Sequence, residues 1–163
     1  YCTMAAGRRW IAAGQPGSVL CILTQSALTG APFRMPSAVA KAGVLSMIRS
    51  LAVEWGPKGI RLVGIAPGSF PTSGASGQLA PSTLAGAVGE ETVALRRNGR
   101  LDELADLAAF LVSPQAGYIT GEAIVIDGGK WLQGAAGPGG VAMQGWDDAR
   151  WAATRAETGR RSK

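Results

Sequence analysis

An α/β fold, with a parallel sheet covered by helices, is predicted from three observations in this 163-residue chain. Three short apolar runs, 18–23, 60–66 and 123–126, read as strands buried on both faces. Segments with helical spacing of apolar residues alternate with them, over 2–13, 37–55 and 101–112. Alternation of this kind implies parallel pairing, because a parallel connection has to recross the sheet. No G-x-G-x-x-G turn follows a strand, and Gly134 to Gly140 comes after the last strand and opens no crossover. Three strands, the first with an open apolar edge, therefore read as the C-terminal part of a larger sheet.

Taken in order, residues 2–13 set Met4, Ala5, Ile11 and Ala12 against Arg8 and Arg9, and Gly14-Gln15-Pro16-Gly17 is a turn. Ser18 to Leu23 is the first strand. Thr24 to Pro36 is rich in small residues and reads as a loop. Helix 37–55 carries the strongest period in the chain: Val44, Leu45, Ile48, Leu51, Ala52 and Trp55 share one face. Gly56-Pro57 ends it, and Ile60 to Ala66 is the second strand. Pro67-Gly68 opens a loop to about Thr83, with a short helix expected near 82–94. Leu101 to Val112 has Asp102 and Glu103 in its first turn, facing the positive end of the dipole. Ser113-Pro114 stops it. Ala123 to Ile126 is the third strand, followed by Asp127-Gly128-Gly129. Residues 134–140 read as a glycine-rich linker, and 146–158 as a short helix anchored by Trp146 and Trp151. Two parts are expected: a sheet domain over 1–133, and a linker with a helical tail over 134–163.

The composition, 47% hydrophobic and 17% charged, is that of a globular chain. No apolar stretch reaches the length of about 18 residues that a membrane helix needs. The N-terminus lacks the basic and apolar regions of a signal peptide. Residue 1 is not methionine, which fits a start inside a gene. Cys2 and Cys21 read as reduced core thiols of a cytoplasmic protein. The absence of histidine excludes His-based triads and His-containing metal sites, no CxxC is present, and no metal is expected. The charge of +5 comes from scattered arginines without interleaved aromatics, so specific nucleic-acid binding is not expected. Contact with the phosphates of a nucleotide cofactor or of coenzyme A suits them better.

Six runs in order resemble the later motifs of the short-chain dehydrogenase/reductase family, over about residues 1–133. They are Ser37-x-x-x-Lys41-Ala42-Gly43-Val44, Leu51 to Gly56, Ile60-Arg61-Leu62, Ala66-Pro67-Gly68-x-x-x-Thr72, Tyr118-Ile119-Thr120-Gly121 and Ile126-Asp127-Gly128-Gly129. Met35 to Lys41 and Asp127 to Leu132 are similar to the 2,4-dienoyl-CoA reductase branch, which lacks the family tyrosine four residues before the lysine. The segment with Trp146, Asp147 and Asp148 looks weakly like that branch's C-terminal extension.

The resemblance implies part of a Rossmann-like, doubly wound three-layer αβα domain. Its Gly-rich half, with the residue that selects the cofactor and the catalytic asparagine, would lie before residue 1. It implies hydride transfer from NADPH, with NAD as the other option, to an unsaturated acyl-CoA. Lys41 would hydrogen-bond the nicotinamide ribose and lower the pKa of a nearby hydroxyl. Thr24 holds the family's catalytic serine or threonine position. Ser37 occupies the proton-donor slot, but a serine hydroxyl is a far weaker acid than a phenol of pKa about 10. Its role would be a hydrogen bond to substrate or ribose, or alternatively a helix N-cap.

Ser26 stands where some members of the branch use a different tyrosine, further upstream in the loop, and Tyr118 looks structural. Pro67, Gly68, Ser69, Phe70 and Thr72 would meet the nicotinamide carboxamide and pyrophosphate, and Ser73 to Gly77 would form a flexible lid. Asp127 suits a turn, with proton relay as the alternative. Helices 2–13 and 37–55 would form a dimer or tetramer interface. A second class of function stays open: a truncated or inactive homologue acting as a structural subunit.

Overall fold

In the computed structural model, residues 1–72, 90–135 and 142–161 are described. Helix α1 (Cys2–Ala13) ends at Gly14, whose φ of 62° is the left-handed conformation that closes helices, and Gln15 N–H donates back to the Trp10 carbonyl. Strand β1 (Gly17–Ile22) follows. A short helix, α2 (Ser26–Thr29), then occupies part of the segment expected to be a loop. Helix α3 (Met35–Trp55) begins two residues earlier than its apolar period suggested, because Pro36 lies in the first turn, where no helical N–H bond is required. Strand β2 (Ile60–Pro67), helix α4 (Leu101–Val112) and strand β3 (Ala123–Ile126) complete the layers. Helices α5 (Lys130–Ala135) and α6 (Asp148–Arg161) follow.

The sheet is parallel throughout, in the order β1-β2-β3, with Val19 opposite Leu62 and Ile65 opposite Ile124. Alternation along the strands divides the core in two. One face gathers Ile60, Leu62 and Ala66 with Leu45, Ile48, Leu51 and Trp55 of α3, and Trp10 of α1 packs beside them. The other joins Val63 and Ile65 to Leu111 of α4, flanked by Leu104 and Leu107. Helices thus cover both faces of the sheet, as expected. Gly7 lets α1 approach α3: a methyl group there would lie 2.3 Å from the Trp55 ring.

Four readings change. β1 is only half-buried, and Ile22 is 50% exposed, because β1 is an edge and the fully covered strand is β2. Cys2 is exposed on α1 and Cys21 is half-buried, so neither is a fully enclosed core thiol. Residues 130–135 are helical, with Asp127 accepting the Trp131 N–H at 2.7 Å, an arrangement the glycines nearby had concealed. The terminal helix runs over Asp148–Arg161 rather than 146–158. The expected lid, 73–77, and most of the expected helix 82–94 fall outside the described residues. The described end of that segment, Glu90–Thr92, is a tight helical turn. Among the described residues no helix is long and apolar enough to cross a membrane.

Candidate functional site

The polar residues singled out from the sequence lie at the carboxyl ends of the parallel strands, where such sheets bind ligands. At the end of β1, Lys41 Nζ donates to the Ile22 carbonyl at 2.7 Å. Lys41 is half-buried as a residue, and its ammonium spends one of its three protons on that bond. Two residues past β1, Thr24 is half-buried and its hydroxyl accepts from Ser26 Oγ at 3.3 Å. Ser37 lies one turn before Lys41 on the same helical face and is exposed. Arg34, not Ser37, occupies the N-cap of α3, so the capping reading of Ser37 is overturned: the helix has already begun by Met35. Lys41 also influences Cys21, whose thiol is pushed up by burial and pulled partly back by the nearby ammonium.

At the end of β2, Pro67, Gly68, Ser69 and Phe70 are half-buried, while Thr72 is exposed. Gly68 N–H donates to Ile126 O at 2.9 Å, and Gly99 N–H to Ser69 O at 2.9 Å. This ties the loop to both β3 and the segment before α4. A methyl group at Gly68 would lie 2.6 Å from Asp127 Cβ, so only glycine fits. A cavity of about 110 Å³ opens beside the loop, lined by Phe70, Val93, Leu95 and Ile126, with Arg97 and Glu103 on its polar side. Arg97 binds Glu103 through both terminal nitrogens, at 2.6 and 2.8 Å. That pairing, helped by the Arg100 N–H, holds the Glu103 carboxyl at about 2 and raises the Arg97 guanidinium.

Thr24, Ser37 and Lys41 do not line this cavity. The predicted residues therefore form two groups, one at the end of β1 and one at the ends of β2 and β3. A residue that sequence reasoning passed over joins them: Gln25 Nε2 donates to Asp127 Oδ2. The same carboxylate accepts the Gly129 N–H at 2.9 Å, which supports the turn reading of Asp127. Arg61 was also missed as a contact. Its guanidinium reaches the carbonyls of Leu111 and Ile119, each at 3.1 Å, and of Ser113 at 3.0 Å. Tyr118, read as structural, is fully exposed. Only the motif Ile60-Arg61-Leu62 hinted at Arg61, and no local pattern marks Gln25.

Hydroxyls, an ammonium and a Gly-containing turn at the carboxyl ends of parallel strands mark the ligand edge of a doubly wound αβα protein. The family model described as enoyl-(acyl carrier protein) reductase matches residues 1–130. The chain belongs to the short-chain dehydrogenase/reductase family, whose members are oxidoreductases. It is 46% identical over 133 residues to a Bacillus subtilis protein named "Probable 2,4-dienoyl-CoA reductase [(2E)-enoyl-CoA-producing]", covering 81% of this chain and 52% of that one.

Among solved structures, a short chain dehydrogenase from Bacillus anthracis superposes with a TM-score of 0.69 at 38% identity, over 81% of this chain and 50% of that one. A gluconate 5-dehydrogenase from Burkholderia cenocepacia, in complex with NADP and tartrate, superposes with a TM-score of 0.71 at 26% identity. That match covers 79% of this chain and 50% of the other. The chain spans about half the length of the curated relatives it matches.

Proposed function

We propose that this chain forms the nicotinamide and substrate end of a reductase that uses NADPH to reduce an unsaturated acyl-CoA, a 2,4-dienoyl-CoA above all. The observation that carries the reading is the group at the end of β1: Lys41 on the Ile22 carbonyl, Thr24 and Ser26 beside it, and Ser37 one turn away with no phenol in its place. Similarity to the Bacillus subtilis protein, over 81% of this chain, supports the dienoyl-CoA substrate. The NADP complex of the gluconate dehydrogenase supports the cofactor class, with NAD as the alternative.

The donor set fits a nicotinamide nucleoside. After its bond to Ile22, the Lys41 ammonium keeps two protons for vicinal ribose hydroxyls. Pro67, Gly68, Ser69, Phe70 and Thr72 would meet the carboxamide and pyrophosphate. A reduced nicotinamide bound there supplies a hydride. Thr24 and Ser37 donate hydrogen bonds to the thioester oxygen, on which negative charge grows as the conjugated system accepts that hydride. Protonation of the resulting dienolate falls to solvent, since no tyrosine stands in the proton-donor slot that Ser37 occupies.

The exposed apolar residues Met4 and Ile11 on α1, and Val39 and Val53 on α3, suit burial between subunits of a homo-oligomer. Two free thiols suit a reducing compartment, and we place the protein in the cytoplasm.

The test is turnover of NADPH with a 2,4-dienoyl-CoA by the full-length protein. Lys41→Met is expected to weaken NADPH binding and to lower kcat/KM by about 100-fold or more, a loss of roughly 3 kcal/mol in transition-state stabilisation. Turnover of a simple ketone or alcohol but not of the dienoyl thioester would sink the reading.

A further inference from the structure

We propose that Gln25 is a positioning residue: its amide, clamped to the Asp127 carboxylate, fixes the loop that presents the Thr24 and Ser26 hydroxyls. The inference rests on the reading of Thr24 given above. Gln25 lies between the two hydroxyl residues, and helix α2 is wound on it. Its carbonyl accepts the Leu28 N–H at 2.9 Å and the Thr29 N–H at 3.3 Å. A helix of four residues is far below the length that holds itself together, so tertiary contacts set its position: Leu28 packs on the core under α3, and Gln25 tethers its start to Asp127. The tether reaches a residue 102 positions away.

Asp127 is a fixed anchor. Its two oxygens accept the Gly129 and Trp131 N–H groups at 2.9 and 2.7 Å, and its Cβ packs against Gly68, where no side chain fits. Hydrogen bonds to an ionised acceptor are among the stronger ones. The clamp thus spans the ends of β1 and β3 across the end of β2, and holds Thr24 in register with the Pro67–Phe70 loop.

Replacing the donor by an acid turns the clamp into a pH-dependent one. In Gln25→Glu, a protonated carboxyl can still donate to Asp127, whereas two ionised carboxylates repel. The charged groups around this pair are Arg97 and Glu103 across the cavity, Lys130 on the Asp127 turn and Lys41 beyond Thr24. Of the acid–base pair across the cavity, the Arg97 guanidinium is pushed up and the Glu103 carboxyl down by their mutual bonds, away from the span of about pH 5 to pH 8, so a change in that window reports the introduced acid.

The experiment compares the parent chain with Gln25→Ala and Gln25→Glu by amide hydrogen exchange at Leu28, Thr29 and Gly30, and by kcat and KM of the full-length protein. In Gln25→Glu, exchange is expected to match the parent near about pH 5 and to run about 10–100-fold faster relative to it near about pH 8, the span of one charged hydrogen bond. Gln25→Ala is fast at both. With the dienoyl thioester, kcat of Gln25→Glu falls over the same window by a similar factor while the KM for NADPH holds. Identical exchange in Gln25→Glu and Gln25→Ala at both pH values would overturn the clamp. An exchange switch without a kcat switch would overturn the positioning role. An exchange switch in Gln25→Glu, together with a parent protein that reduces no dienoyl thioester, would leave the clamp standing and sink the reaction.

Discussion

Arg61 offers the sharpest test of how this sheet is held. It lies on the α4 side of the central strand, and its guanidinium binds three carbonyls: those of Leu111 and Ser113 at the end of α4, and that of Ile119 before β3. The carbonyls of Leu111 and Ser113 are orphan acceptors at a helix C-terminus, where a cation is favoured. Arg61→Met keeps much of the aliphatic stem and removes all three bonds. A hydrogen bond from a charged donor contributes about 1.5–3 kcal/mol. The site is part-buried, so water recovers some of the carbonyls, and the expected loss is about 2–4 kcal/mol in total rather than the full sum. At about 2–4 °C per kcal/mol for a chain of this size, Tm falls by about 4–16 °C.

Arg61→Lys, a point charge that cannot fork to three carbonyls, is expected to lose a part of this. The assay is urea unfolding of the parent and both variants, with amide exchange at Gly121, whose N–H donates to the Leu62 carbonyl at 2.7 Å. Exchange there should quicken as the 113–120 segment loosens. An Arg61→Met variant within about 0.5 kcal/mol of the parent would refute the view that this cation ties α4 to the sheet.

Other outcomes follow from the same packing and charge pairs. Gly7→Ala should destabilise by about 1–3 kcal/mol, because the new methyl meets the buried Trp55 ring, although alanine is intrinsically the better helix former by about 1 kcal/mol. A more stable variant, with Trp fluorescence unshifted, would refute that packing. Thiol labelling at neutral pH should be biphasic, fast at exposed Cys2 and slower by on the order of tenfold at Cys21, whose thiol burial pushes up; a single rate would contradict it. The Glu103 carboxyl is depressed from 4.5 to about 2 in the folded chain, so its contribution is present above pH 4.5 and disappears as pH falls towards 2. Glu103→Gln should remove that part of the acid transition, as followed by circular dichroism, and an unchanged acid limb would count against the pairing with Arg97.

Much of the fold was legible because its signals are local. The apolar runs at 60–66 and 123–126, and the period from Val44 to Trp55, name strands and helices without reference to anything distant. Asp102 and Glu103 marked the start of α4, and the Glu103 carboxylate does accept the Arg100 N–H at 2.9 Å. The candidate site was legible in part: Lys41, Thr24 and the Pro67–Phe70 loop do gather at the carboxyl ends of the strands. The cap alternative for Ser37 fails because Pro36 lets the helix start earlier, and periodicity cannot see the first turn, where apolar spacing has not begun.

The sequence by itself determined the kind of each principal element, the parallel connection of the strands and the motifs that mark the family. These follow from spacing within a few residues, where side-chain direction repeats with the backbone. Only the tertiary structure decided which strand is sealed, which cysteine is exposed, and which partners Arg61 and Gln25 choose. Those depend on contacts between residues 50 and 102 positions apart, and no local period records a partner so distant. The carboxylate that a glutamine finds at the end of the sheet exists as its partner only once three strands lie side by side.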